Sequence, residues 1–168
     1  IVWTDTLQTL SLLTAVILTI FAIGQALETD LGGLITMVKN SDYSQMFFFE
    51  GGWSDPNNFF KQFIAGALIT IVMTGLDQDM MQKNLSCPNI RDAQKNMFTF
   101  SFILIFANLI FLTLGALLYI YAANVGIEIP EKTDLLFPQI ALQHLSPGIG
   151  IVFIVGLIAA AYSSADSA

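Results

Sequence analysis

Ile149-Gly150-Ile151-Val152-Phe153-Ile154-Val155-Gly156-Leu157-Ile158 runs without a polar side chain into Ala159-Ala160-Ala161-Tyr162-Ser163-Ser164-Ala165-Asp166-Ser167-Ala168. The first ten residues suit hydrocarbon. The last six bring three hydroxyls and a carboxylate to the end of the same apolar segment, where a helix at membrane depth has no use for them unless something inside the protein needs oxygen ligands. Ser163 and Ser167 stand four apart and Ser163 and Asp166 three apart, so a helix puts all three on one face, with Ser164 flanking it. Hard cations take oxygen ligands, and small Ala and Ser side chains let a neighbouring helix approach closely enough for backbone carbonyls to complete a shell. The competing reading of the same residues is ordinary small-residue helix packing.

Outward from that stretch the composition is uniform in character. Hydrophobic residues make up 55% of the chain and charged residues 11%, and the mean hydropathy is +0.69, which places it among membrane proteins. A hydrocarbon core of about 30 Å needs roughly 20 apolar residues of helix. Thr6–Leu27, Phe60–Gln82 and Met97–Ala123 meet that length, and Gly148–Ala168 makes a fourth. No segment has a strand period, and backbone groups inside lipid must be satisfied within the segment, so the spans are helices. The predicted architecture is all-α, a polytopic transmembrane helical bundle with spans at about 1–27, 60–82, 97–123 and 148–168. The chain has no initiator Met, opens at or near a helix start and stops inside one, so residues 1–168 read as a single fragment of a longer polypeptide. Cys87 is the lone cysteine and excludes an internal disulfide.

The few cations set an orientation, because short cytoplasmic loops are enriched in Lys and Arg. Residues 83–96 carry Lys83, Arg91 and Lys95 against Asp92. Residues 28–59 carry Glu28, Asp30, Asp42, Glu50 and Asp55 against Lys39, and residues 124–147 carry Glu128, Glu131 and Asp134 against Lys132. Loop 83–96 is therefore expected in the cytoplasm and loops 28–59 and 124–147 outside. The expected location is the plasma membrane, taken as the inner membrane of a bacterium. No nucleic-acid signature is present. In the longest outer loop, Met46-Phe47-Phe48-Phe49-Glu50-Gly51-Gly52-Trp53 reads as an interfacial aromatic belt with a short surface helix, or as a lid over a substrate path.

Charges within spans cost about 2.5–3.5 kcal/mol each on insertion scales, which makes Asp5, Asp77, Asp79 and Asp166 functional candidates. Asp5 is followed at helical spacing by Gln8 and Thr9; the alternative is a helix-end acid reaching water. Asp77 and Asp79 follow Gly75, which lowers helix stability by roughly 1 kcal/mol relative to Ala, so a break is expected there. Two residues apart, the two acids cannot share a face, and Asp79 pairs naturally with Lys83. Asn108 reads as interhelical hydrogen-bonding glue and His144 as a loop histidine. There is no His/Cys cluster for a transition metal, no Ser/His/Asp arrangement and no Gly-rich phosphate cradle, so no enzyme is expected.

Three strings, Trp3-Thr4-Asp5-Thr6-Leu7-Gln8, Gly75-Leu76-Asp77-Gln78-Asp79-Met80-Met81-Gln82-Lys83-Asn84-Leu85-Ser86 and Ala160-Ala161-Tyr162-Ser163-Ser164-Ala165-Asp166-Ser167-Ala168, together resemble the sodium/solute symporter family, which includes sodium–glucose, sodium–proline and sialic acid transporters. The resemblance implies the leucine-transporter-like fold of two inverted five-helix repeats, of which this chain is similar to core helices five to eight. It implies sodium-coupled symport of a small organic solute by alternating access, with Na+ as the coupling ion and the lipid bilayer as the surroundings. On that map the Ala160 carbonyl and the Ser163 and Ser164 hydroxyls belong to the main sodium site, and Asp5, Asp166 and Ser167, with Ser163, to a second one. Asp77 and Gln78 fall beside the substrate and inner gate, with Met73 and Thr74 just before them. Sugar-transporting members carry two aromatics where this chain has Met73 and Thr74, and a sugar-binding lysine where it has Leu104, which argues against glucose- or galactose-like recognition. The alternative function is a solute-sensing membrane domain of a signalling protein with the same fold.

Overall fold

The computed structural model describes residues 2–45, 47–49, 52–76 and 78–166; the description stops short of the side chains at 2–5, 74, 79, 80, 83 and 163–166. Among the described residues the chain is all helix, without a strand. The helices are α1 (Val2–Ala26), α2 (Leu31–Lys39), α3 (Phe59–Leu76), α4 (Gln78–Leu85), α5 (Ile90–Val125), α6 (Leu136–Gln139) and α7 (Pro147–Asp166). They fall into two compact units: residues 1–44 with 105–168, and residues 45–104.

In the first unit α1 packs along α7. A methyl group built on Gly156 would lie 3.0 Å from the Ala15 Cβ and 3.6 Å from the Leu12 Cα, so the two backbones meet there about as closely as helices can. The two run antiparallel. At the start of α7, Gly150 sits against the Ala141 carbonyl, and the adjoining Ile140 belongs to the same apolar cluster as Val16 and Ile23 of the distal half of α1. That cluster also takes in Leu34 from α2, Leu114, Leu117, Leu118, Tyr121 and Ala122 from α5, and Leu136. The Tyr121 hydroxyl donates to the His144 carbonyl at 3.3 Å and ties α5 to the turn before α7.

Two helix ends use the same device with different residues. At the end of α1, Thr29 N–H donates to the Gly24 carbonyl and Glu28 N–H to the Gln25 carbonyl, a Schellman closure that puts Glu28 at φ 52°. At the end of α5, Ile127 N–H donates to the Ala122 carbonyl and Gly126 takes φ 74°. Only the second uses the residue for which that conformation carries no steric cost.

In the second unit the start of α3 is fixed by turn chemistry. The Asp55 side chain accepts from Asn57 N–H, and the Asn58 side chain accepts from Phe60 N–H at 3.1 Å, as a helix N-cap does. Phe47 and Phe49 stack and fold onto Phe59, whose N–H donates to the Phe48 carbonyl. Where a short surface helix was expected, the described residues of the aromatic segment hold a 3-10 turn, Gly52–Ser54.

Several boundaries differ from the sequence reading. The third span was expected from Met97, but α5 starts at Ile90, because Asn89 caps it: its side chain accepts from Asp92 N–H at 2.9 Å and donates to the Asp92 carboxylate at 2.8 Å. The connections at 28–59 and 124–147 hold more helix than predicted, namely α2, α6 and a π turn, Ile140–His144. His144 is thus helical, and Asn108 is exposed rather than packed between helices. Two helices are long and apolar enough to cross a membrane, Thr6–Ala26 and Ile90–Val125. The other two expected spans give shorter apolar helices among the described residues, Phe59–Met73 and Pro147–Tyr162. Gly75, where a break was expected, lies inside α3, and Asp77, between α3 and α4, is outside the described residues.

Candidate functional site

The residues of the expected sodium sites lie on the two helices that pack most extensively against each other. Position 5 is in the first turn of α1, and positions 160, 163, 164 and 166 are in the last two turns of α7. Ala160 is half-buried. The side chains of Asp5, Ser163, Ser164 and Asp166 lie outside the description, as does Ser167 altogether.

The seam itself is well defined up to that point. On α1, Ser11, Leu12 and Ala15 face Gly156, and Gln8 extends their stripe by one turn. On α7, buried Gly156 is followed by half-buried Ala159 and Ala160, while Leu157, Ile158, Ala161 and Tyr162 are exposed. The helices are antiparallel, so four residues back on α1 and four forward on α7 cover the same height, about 6 Å at 1.5 Å per residue. Gln8 therefore stands level with Ala160.

The polar side chains along α1 differ in how they are satisfied. Ser11 and Thr19 donate to the Leu7 and Ala15 carbonyls at 2.8 and 2.7 Å, each within its own helix. Thr19 is fully buried and needs nothing else. The Gln8 Oε1 is buried and has no hydrogen-bond partner, the one such side-chain atom among the described residues. The sequence grouped Gln8 with Thr9 on one face beside Asp5. In the structure the two separate: Gln8 turns into the seam and Thr9 is exposed.

The expected substrate and gate residues lie in the second unit. Met73 is exposed near the end of α3, and Gln78 is exposed at the start of α4. Asp77, between them, and the Thr74 side chain are outside the description. An open cleft of ≈ 420 Å³, lined by Phe21, Gly24, Gln25, Thr29, Asp30, Leu31 and Leu34, opens at the far end of α1 from Gln8 and shares no residue with either expected site. No group of three or more His, Cys, Asp or Glu comes together among the described residues.

Comparison of the chain with protein-family models, with curated proteins and with solved structures finds no match.

Proposed function

We propose that this chain belongs to a membrane-embedded, sodium-coupled symporter of a small organic solute. The observation that carries the proposal is the close antiparallel packing of α1 on α7. It gathers onto one helix pair the sequence positions that supply oxygen ligands, Asp5 on one side and Ala160, Ser163, Ser164 and Asp166 on the other. Hard monovalent cations are bound by just such sets of carbonyl, hydroxyl and carboxylate oxygens. The membrane setting is supported by exposure. Only 28% and 17% of the apolar windows in Thr6–Ala26 and Ile90–Val125 are buried, whereas a core helix of a soluble protein hides most of its length.

In this reading sodium enters between α1 and α7 and acts through its unequal affinity for outward- and inward-facing states, which is the only way an ion can bias such an equilibrium. The membrane potential contributes about 2.3 kcal/mol per charge per 100 mV. Asp77 and Gln78, with Met73 and Thr74, serve the substrate path and inner gate, and no covalent step is involved. The substrate is a sugar, sugar acid or related metabolite.

The test is uptake by the intact protein in proteoliposomes with an imposed sodium gradient, across sugars, sugar acids, amino acids and carboxylates. Sodium-dependent accumulation of one class is expected; its absence across the panel ends the proposal. Ser164→Ala should raise the sodium concentration for half-maximal uptake by about tenfold, the loss of one ligand oxygen to a charge. An unchanged sodium dependence would remove Ser164 from the ion site.

A further inference from the structure

We propose that α2 is an interfacial helix, lying on the membrane boundary at the C-terminal end of α1 with Leu31 and Ile35 in the apolar layer of the lipid, a placement that rests on the membrane setting proposed above and needs no sodium coupling. Around the helix, Leu34 and Val38 mark one direction, Leu31 and Ile35 lie on the flank beside it, and Gly32, Gly33 and Thr36 fall on the far side. Leu34 belongs to the apolar core cluster, and Val38 packs against it. Leu31 and Ile35, one turn apart, are 48% and 64% exposed. The helix thus carries more apolar surface than the protein covers. Lys39, one turn beyond Ile35, borders the same flank, where a long side chain rests its stem on apolar surroundings and keeps its ammonium in water.

The position of α2 says what meets that flank. The apolar helix Thr6–Ala26 has 21 residues, about 31 Å at 1.5 Å per residue, which matches a hydrocarbon core of about 30 Å. Its end is therefore at a boundary. There α2 docks: a methyl group built on Gly24 would lie 3.1 Å from the Leu34 Cδ1. Beyond α2 the chain reaches the last two turns of α5, where Tyr43 stacks on Tyr119 with ring centroids 5.3 Å apart. Ile23 and Leu34 share their cluster with Tyr121 and Ala122, so the two helix ends lie together, and a segment running from one to the other crosses them instead of following either axis. Tyrosines are enriched at such a boundary.

Exposed apolar surface also passes without a gap from α1 onto α2. Ile17, Leu18 and Phe21 are exposed along α1, and Phe21 lines one open cleft with Leu31. The attraction is apolar, since residues 28–44 carry Glu28, Asp30 and Asp42 against Lys39 and have nothing to offer an anionic headgroup in particular. An amphipathic helix in this setting lies in the interface plane with its apolar side in the boundary between headgroups and acyl chains.

The experiment places a nitroxide on single cysteines of the intact protein, with Cys87→Ser removing the native thiol, in phosphatidylcholine vesicles. Collisions with oxygen, which concentrates in hydrocarbon, are compared with collisions with a water-soluble nickel chelate. The labelled positions are Leu31, Ile35 and Thr36 on α2 and Ile17 in the middle of α1, all of them exposed, so no label has to enter the core. Leu31→Cys and Ile35→Cys should be open to oxygen and shielded from the chelate, as Ile17→Cys is, while Thr36→Cys should be open to the chelate. Chelate access at Ile35→Cys equal to that at Thr36→Cys, with Ile17→Cys still shielded, overturns the interfacial helix and leaves the spanning α1 intact. A label at Ile35→Cys that neither reagent reaches is covered by protein and overturns it as well. Free chelate access at Ile17→Cys overturns the membrane setting itself.

Discussion

The α1–α7 seam and α3 are both apolar helical surfaces, yet they are built to opposite rules. Along the seam the residues at the closest approach are small, Ala15 and Gly156, and the backbones approach until a single added methyl would touch. Along α3 the residues are bulky and outward-facing: Phe63, Leu68, Ile71 and Met73 are 65%, 59%, 68% and 62% exposed, and none of the helix's described side chains is buried. In water that second pattern would be an aggregation hazard. In lipid it needs no partner, because acyl chains solvate Leu and Phe as well as another helix does, and close packing between small residues is what holds helices together. The two surfaces thus follow different rules: one joins helices, the other lies exposed.

The sharpest way to break that division is to truncate a large side chain on each kind of surface. Leu117, fully buried in the first unit's core, should cost about 2–5 kcal/mol as Leu117→Ala, while Leu68→Ala on α3 should cost well under about 1 kcal/mol. Denaturant or thermal unfolding of the intact protein in a single detergent reads both. Equal losses would mean that α3 is covered by protein.

The reverse experiment adds volume. Gly156→Leu forces the seam open against Ala15 and Leu12 and should destabilise by about 2–3 kcal/mol. Gly66→Leu adds the same atoms to α3 where nothing lies within 4 Å of a new Cβ, and helix propensity favours it by a few tenths up to about 1 kcal/mol. A tolerant Gly156→Leu would show that the small residues are incidental, and the proposed ion site would lose its geometric basis.

The contrast also explains what could be read from the sequence. Long apolar runs report the solvent, so α1 and the apolar body of α5 were legible from hydropathy alone. Hydropathy does not report where a helix starts. The Asn89 cap lies in a polar stretch eight residues ahead of the apolar run, and only its spacing to Asp92 signals it. The short connecting helices were harder still, because each is held by very few buried residues: Leu34 in α2, Leu136 in α6, Ile140 and Ala141 in the π turn. Leu136 and Ile140 do stand four apart, and Asp30 caps α2 by accepting from Gly33 N–H at 2.8 Å, so both left a local trace. The oxygen-rich end of α7 was legible as composition. The special standing of Gln8 was not, because its spacing from Asp5 is shared in kind by Thr9, and which of two adjacent residues faces the seam depends on the rotation of α1 against α7.

The smallest predicted effect tests the other comparison, between the two helix ends. Glu28 and Gly126 hold the same position in the same closing motif, at φ 52° and φ 74°. For an L-residue with a Cβ the left-handed conformation costs roughly 1–2 kcal/mol, while glycine adopts it freely but loses more entropy on folding. Glu28→Gly should therefore stabilise the intact protein by about 0.5–1 kcal/mol, and Gly126→Ala should destabilise it by about 1 kcal/mol, both read as shifts of the thermal midpoint. The sign of the first is the informative one. Glu28 is exposed, and neither of its neighbours in the motif needs its side chain, since the closing bonds run through the backbone N–H groups of Glu28 and Thr29. If Glu28→Gly destabilises instead, the carboxylate makes a contribution that outweighs the strain of its backbone, and the C-terminal end of α1 has a role beyond ending a helix.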